Sequence, residues 1–169
     1  MSIQRAAVLS PCGVYRFRLT REDVTLFPSD GAVLFVLNNP STADATVDDQ
    51  TVRKAWGFTR SWGFNRMCFV NTNPHRSTDP KLAVIPDEAI LTENDTHLRF
   101  AAAEASLVVC AWGTKAEQKL VTRALAVLRL QKPLHVIELS THGIPKHPLY
   151  LRGNLPAVPW HGPDADACR

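Results

Sequence analysis

Residues 33–40 read VLFVLNNP, five consecutive apolar residues that end at two asparagines and a proline. A short run without a polar face is typical of a strand in a parallel sheet, where helices cover both faces. Three further runs repeat the pattern along the chain, at residues 67–70, 106–111 and 134–137. We therefore predict a mostly parallel sheet of four strands.

Helical patterns separate these apolar runs. Apolar residues recur at helical spacing in residues 51–62, from about 94 to 105, and from about 115 to 130, where Thr114 is the expected N-cap. Strands that alternate with helices predict an α/β fold of three layers, with the sheet between the helices. Residues 14–19 alternate apolar and basic side chains, which predicts a half-exposed strand at an edge of the sheet.

The length and the cysteine pattern limit the class of protein. The 169 residues suit a single domain, with a core at about 12–155 and a loop-like tail at about 156–169. No apolar run approaches the roughly 20 residues that span a bilayer, and the first residues lack the apolar stretch of a secretory signal. The four cysteines have no metal-ligand spacing, so we expect a cytoplasmic protein without metal or cofactor. Cys68 and Cys110 lie in apolar runs and are expected to be buried free thiols.

The net charge of +3 is distributed unevenly. Residues 50–78 and 139–163 contain no acid and together carry seven of the Lys and Arg residues. Such windows favour a phosphate-bearing partner, DNA or a nucleotide, although an ordinary surface can produce the same pattern. Arg53, Arg76 and Lys146 are the candidate phosphate contacts.

Polar residues follow each predicted strand. Right-handed crossovers bring the carboxyl ends of parallel strands to one edge of the sheet, where ligands usually bind. Asn39, Pro40 and Ser41 follow the first strand; the amide of Asn39 can hold a water or a ligand, although these are also common turn residues. Asp44 and Asp49, a few residues downstream, are candidate general bases.

The other three strands lead into the remaining candidates. Asn71 ends the second strand, where its amide can read the edge of a nucleobase or simply cap a loop. Trp112 is either a stacking platform or a core residue, and Gly113 beside it permits close approach of a ligand. The proline-rich loop after the fourth strand carries His147, which can donate a hydrogen bond to an oxyanion or a leaving group.

Several of these motifs, in the same order, resemble the DUF1643 family, whose function is unknown. They are Asn39-Pro40-Ser41-Thr42-Ala43, Asp49-Gln50-Thr51-Val52-Arg53, Asn71 with Arg76 and Asp79-Pro80, Ala111-Trp112-Gly113, and Lys146-His147-Pro148-Leu149-Tyr150. The resemblance covers about residues 12–152, nearly the whole predicted domain.

The motif order is also remotely similar to the uracil-DNA glycosylase superfamily. That similarity implies a parallel four-stranded sheet between helices, with Asn39 positioning the attacking water, Asn71 reading the base and His147 stabilising the departing base anion. Leu37 and Ser41 stand where the superfamily often has glycines in its first motif. Leu149 or Tyr150 would lie where its DNA-wedging loop lies.

These observations predict a DNA glycosylase-like enzyme that cleaves the N-glycosidic bond of an ordinary or a modified base in DNA or a nucleotide. In this hypothesis Asn39, His147, Asp49 and Asp44 are catalytic. The base or ligand is bound by Pro40, Ser41, Asn71, Trp112 and Gly113. Two alternatives stay open: a non-catalytic nucleic-acid or nucleotide-binding protein on the same fold, and an enzyme that acts on a small nucleotide-like substrate.

Overall fold

The structure is a computed structural model that describes residues 2–25, 31–41, 43 and 46–163. Its strands are β1 Ile3–Leu9, β2 Arg16–Asp23, β3 Val33–Leu37, β4 Arg66–Asn71, β5 Leu107–Cys110, β6 Leu134–Val136 and β7 Val158–Trp160. Its helices are α1 Gln50–Ser61, α2 Glu88–Glu104 and α3 Gln118–Leu128. Two short 3₁₀ turns lie at Pro80–Leu82 and Pro148–Tyr150.

The predicted α/β class is confirmed, but the predicted sheet of four strands is wrong. One mixed sheet of seven strands has the order β1-β2-β4-β3-β5-β6-β7. Its centre is parallel, since β3 pairs with β4 and β5, and β5 pairs with β6. The antiparallel β1, β2 and β7 flank that centre. The sequence pattern does not indicate β1, because most of its side chains are exposed, or β7, because it is only three residues long and contains a proline.

Helices cover both faces of the sheet. On one face Leu34 and Val36 of β3 pack with residues of α2 and α3. On the other face Val33 and Phe35 pack with Val52, Ala55 and Phe58 of α1. The alternation of the β3 side chains therefore builds two cores from one uninterrupted apolar run.

Strand β2 lies inside the sheet, between β1 and β4, and not at the edge that the charge alternation predicts. Val8 pairs with Arg18 and Leu9 with Arg16, so Phe17 is an extra residue in the ladder with β1. Such a bulge reverses the direction of the side chains beyond it. Phe17 stacks on His97 of α2, whereas Arg16 turns toward the α1 face and donates to the carbonyl oxygen of Ala43.

Two helix boundaries differ from the prediction. Helix α2 begins at Glu88, well before residue 94, because the carboxylate of Asp87 accepts from the Ile90 N–H at 3.0 Å and caps the helix. Helix α3 begins at Gln118, and its N-cap residue is Glu117 rather than Thr114. The C-terminal tail is also not entirely loop, because it contains β7.

The expected buried free thiols, Cys68 and Cys110, are confirmed. None of the helices in the described part of the chain is both long and apolar enough to cross a membrane.

Candidate functional site

A cavity of about 640 Å³ opens at the carboxyl end of the parallel strands. Its size lies within the range of about 300–1,000 Å³ that is usual for small-molecule sites. The predicted site residues that line it are Asn39, Ser41, Asp49, Trp112, Gly113, Lys146 and His147. A second cavity of about 370 Å³, at the amino end of β6, contains none of the predicted residues.

Asn39 follows β3, and its amide group has a fixed orientation. Its Nδ2 donates to the carbonyl oxygens of Pro40 at 3.2 Å and Ser77 at 2.9 Å. Among the described residues no group donates to its Oδ1. The side chain therefore brings an acceptor to the cavity while its donors hold the neighbouring loop.

Asp49 has a structural role that the sequence reasoning missed. It is the N-cap of α1, where its Oδ1 accepts from the Val52 N–H at 2.8 Å. Its Oδ2 accepts from the hydroxyl group of Ser41. The carboxylate thus stabilises the helix start and orients Ser41 at the wall of the cavity.

His147 is held as a neutral hydrogen-bond donor. Its Nδ1 accepts from the Leu149 N–H at 3.4 Å, so the neutral imidazole carries its proton on Nε2. Burial lowers the pKa of His147, and the nearby charge of Asp49 only partly opposes that shift. At neutral pH the residue therefore presents an N–H group rather than a full positive charge.

Gly113 lets the loop after β5 approach the loop that carries His147. The Gly113 N–H donates to the carbonyl oxygen of Pro145 at 2.9 Å, and its φ of 78° lies in the left-handed region. Trp112 beside it is only 4% exposed and packs edge-on against Trp160, with ring centres 5.7 Å apart. Most of the Trp112 ring is thus a core group, although the residue also lines the cavity.

The structure does not bring every predicted residue to the cavity. Asn71 is completely buried and does not line the cavity, and neither atom of its side-chain amide has a described partner. Pro40 is also buried outside the lining. Arg53 donates to the carbonyl oxygen of Asp48, and Arg76 donates to that of Gly13, both away from the cavity. Their binding roles stay predictions.

Asp44, a predicted catalytic residue, lies outside the described residues.

Further residues that were not among the predicted site residues also line the cavity, and they include Arg16, Asn38 and Lys115. Arg16 is 2% exposed, although its place in an alternating strand predicted a solvated side chain. The bulge at Phe17 turns it inward, and no local pattern of residue types indicates that bulge. Asn38 and Lys115 adjoin predicted residues, so their position next to a strand end is the signal that could have found them.

Several Lys and Arg residues of the acid-free windows form ion pairs with carboxylates in the folded structure. Arg60 pairs with Asp23 at 3.4 Å, and Arg66 lies 3.9 Å from Glu104. Lys146 pairs with Glu138. The seven cations therefore do not form an unpaired basic surface, because residues outside the windows supply carboxylates to three of them.

Comparison with known proteins identifies the family. The model of DUF1643, described as a protein of unknown function, matches residues 16–149. The chain belongs to the DUF1643 family. In this DUF1643 member the match begins at Arg16 and ends at Leu149, so it includes every residue that lines the cavity except Tyr150. Neither the curated proteins nor the solved structures contain a significant match.

Proposed function

We propose that this DUF1643 member hydrolyses the N-glycosidic bond of a nucleobase in DNA or in a nucleotide. One observation carries the proposal: a single cavity contains Asn39, whose Oδ1 accepts no hydrogen bond from the described residues, and His147, whose Nε2 is a neutral donor. This hydrolysis needs two groups: a hydrogen-bond acceptor that holds the attacking water, and a hydrogen-bond donor that stabilises the negative charge on the leaving base.

The proposed reaction assigns one role to each group. Asn39 Oδ1 accepts a hydrogen bond from the water, whose oxygen forms a bond with the sugar C1′ as the bond between C1′ and the base breaks. The electron pair of the broken bond stays on the base, and His147 Nε2–H donates to the resulting anion. The proton released by the water passes to the carboxylate of Asp49. Asp49 then releases its proton to solvent, and the released base takes up a proton from solvent.

The placement of these residues also supports a uracil-DNA glycosylase-like fold. The centre of the sheet is parallel, helices lie on both faces, and the chemistry-bearing loops follow β3 and β6. In DNA, the target base would have to leave the stack to enter the cavity. Tyr150, which is 80% exposed and lines the cavity, would lie beside the displaced strand.

The test is a base-release assay. Oligonucleotides that carry uracil or modified pyrimidines, together with the corresponding free nucleotides, are incubated with the protein, and released base is measured by chromatography. We expect His147→Ala to slow release by about 100-fold, since loss of one preorganised donor has an effect of that size. Asn39→Ala should also slow release.

His142→Ala is the matched control. His142 is exposed in the same loop and does not line the cavity, so its removal should leave the rate unchanged. Absence of base release from every substrate would overturn the proposal. So would a His147→Ala variant that is as active as the parent.

A further inference from the structure

We propose that two copies of this chain associate through the free edge of strand β1, so that their two sheets join into one. A two-fold axis at Ala6 relates the copies, and the two β1 strands run antiparallel. This inference goes beyond the proposed hydrolysis and does not depend on it, because no residue of β1 lines the cavity.

The two edges of the sheet differ in how they are protected. At one edge, β7 has only three residues, and its central Pro159 has no N–H group to donate to a further strand. At the other edge, β1 has seven residues and no proline, and most of its side chains are exposed. Proteins usually block an exposed edge strand with proline, with charge or by keeping it short. The fold therefore blocks the β7 edge and leaves only one of these protections, the charge of Arg5, at β1.

The charge of Arg5 is a weak protection. Its guanidinium group lies 3.6 Å from the carboxylate of Asp48 in the same chain. That carboxylate also pairs with Arg21 at 2.7 Å. The positive charge at the edge is therefore partly neutralised, and it repels an approaching strand less than an unpaired cation would.

The hydrogen bonds at the two ends of the β1–β2 pair show which backbone groups of β1 face outward. The Val24 N–H donates to the carbonyl oxygen of Ser2 at 3.1 Å, and the Ser10 N–H donates to that of Tyr15 at 3.0 Å. Because hydrogen-bonded and non-bonded pairs alternate in an antiparallel ladder, the even-numbered residues of β1 bond with β2. The residues whose N–H and C=O groups face away from the sheet are therefore Ile3, Arg5, Ala7 and Leu9.

The outward backbone groups of β1 can meet a partner strand. Within the residues that the structure describes, no backbone hydrogen bond outside the regular ladders reaches them. The side chain of Arg5 donates to the carbonyl oxygen of Ile3 at 3.4 Å, an exposed contact that an incoming N–H group would replace. Val8 and Leu9 are also 36% and 38% exposed. The edge therefore offers both backbone hydrogen bonds and apolar side chains to a partner.

The sequence of β1 fits an antiparallel copy of itself about Ala6. Arg5 then lies opposite the partner's Ala7, and Leu9 lies opposite the partner's Ile3. Every outward-facing residue meets another outward-facing residue, so their N–H and C=O groups can bond in pairs. No like charges meet, because Arg5 is the only charged residue of the strand.

Other two-fold registers fit less well. An axis at Arg5 places two guanidinium groups directly opposite each other, which is destabilising. An axis at Ala7 leaves Ile3 beyond the paired part of the strand. An axis between two residues would oppose outward-facing groups to inward-facing ones. Only the axis at Ala6 pairs every residue of β1, and a self-complementary two-fold contact is the commonest form of soluble oligomer.

The proposed dimer leaves both cavities open. Leu9 pairs with Arg16, which lines the cavity, so the cavity lies toward the carboxyl-terminal end of β1. Antiparallel pairing therefore places the two cavities at opposite ends of the joined strands. One strand pair makes a small interface, so we expect reversible association that depends on the protein concentration.

Sedimentation velocity of the full chain, from about 1 to about 300 µM, measures the association. We expect the parent to change from monomer to dimer across this range. Ala6→Glu and Ala6→Lys each place two like charges opposite each other at the axis, and each should raise the dissociation constant at least about tenfold. An equimolar mixture of the two variants should restore the dimer, because a carboxylate then faces an ammonium group.

Ala103→Glu is the matched control. Ala103 is an exposed alanine of α2, so the substitution changes the net charge equally without altering β1. This variant should dimerise like the parent. Urea unfolding of the Ala6 variants should match that of the monomeric parent, since Ala6 is exposed in the single chain, and a lost dimer is then not a lost fold.

Three results would overturn the inference: a parent that stays monomeric over the whole range, a dimer that the Ala6 variants do not weaken, and a mixture of the two variants that stays monomeric. The first result would leave the edge to a strand of another protein, and the second would indicate a different interface. Base release tests only the hydrolysis, because Ala6→Glu should leave its rate unchanged.

Discussion

A Cβ atom built on Gly113 would lie 3.3 Å from the Cβ atom of His147. The loop after β5 and the loop after β6 therefore touch at a point where only a hydrogen atom fits comfortably. The left-handed φ of Gly113 and its hydrogen bond to Pro145 O hold the two loops in this contact. The position of the proposed donor at His147 thus depends on a glycine that follows a different strand.

We expect Gly113→Ala to weaken both stability and base release. The added methyl group must push His147 aside, and a non-glycine residue in the left-handed region adds about 1–2 kcal/mol of strain. Together the two effects should lower the free energy of unfolding by about 1–3 kcal/mol, measured by urea denaturation.

Gly143→Ala separates the two causes. Gly143 has a similar φ of 72°, but a Cβ atom there would meet nothing within 4 Å. The Gly143→Ala variant should therefore lose stability through backbone strain alone and should keep its base-release rate. Equal loss of base release in both variants would contradict the contact argument.

Asp49→Ala should affect stability and the cavity together. It removes the N-cap of α1, which costs about 0.5–2 kcal/mol, and it also leaves the Ser41 hydroxyl group without its partner. Asp87→Ala removes the equivalent cap of α2, at a residue that does not line the cavity. Both variants should unfold at lower urea concentration, but only Asp49→Ala should reduce nucleotide binding or base release. A cavity defect in Asp87→Ala would show that global destabilisation explains both.

The pH dependence of stability follows from His147. Because burial lowers its pKa, the folded protein binds fewer protons there than the unfolded chain, whose histidines titrate near about 6.5. The stability contributed by neutral His147 is present above that pH and is lost as the pH falls through the lowered folded value. We expect His147→Gln to reduce the loss of stability between about pH 7.5 and 5.

Urea midpoints at several pH values provide the measurement. Part of the loss should remain in His147→Gln, because burial and the neighbouring charge of Arg18 also lower the pKa of His97, which stacks on Phe17. The exposed His142→Gln should behave like the parent. An unchanged slope in His147→Gln would mean that the imidazole is not held neutral.

The reactivity of the cysteine thiols tests whether strands β4 and β5 are buried. Burial raises the pKa of Cys68 to about 12 and also raises the pKa of Cys110, whereas a hydrogen bond with Ser10 lowers the pKa of the exposed Cys12. In a Cys168→Ser background, a thiol reagent should modify one group in the folded protein and three after unfolding. Further substitution of Cys12 by Ser should abolish the native reaction. Rapid modification of Cys68 or Cys110 would contradict the packing of β4 and β5.

Local patterns were sufficient for the centre of the fold. The apolar runs at β3, β4, β5 and β6 predicted their strands, because a strand that is buried on both faces leaves few positions for polar residues. The two outermost strands, β1 and β7, could not be found in this way. An exposed strand such as β1 carries no periodic pattern, and its pairing with β2 is decided by contact with the rest of the sheet.

The residues of the candidate site also divide into those that local sequence patterns could place and those that they could not. Asn39, Trp112, Gly113 and His147 could be placed because each follows a strand end, and parallel strands end at one edge. Asn71 also lies at a strand end, but its side chain is buried and does not line the cavity, since the direction of one side chain depends on local packing. Arg16 could not be placed, because a bulge inverts a strand whose residue types alternate regularly.

The sequence by itself determined the α/β class, the parallel centre of the sheet and the edge where the polar residues gather. These follow from hydrophobic patterning, which is a local property of the chain. Only the tertiary structure decided that Arg16 lines the cavity and that acids from distant segments pair with Arg60 and Arg66 of the first acid-free window. Those features arise from contacts between residues that are far apart in the chain, where a rotation or shift of one residue changes which groups meet.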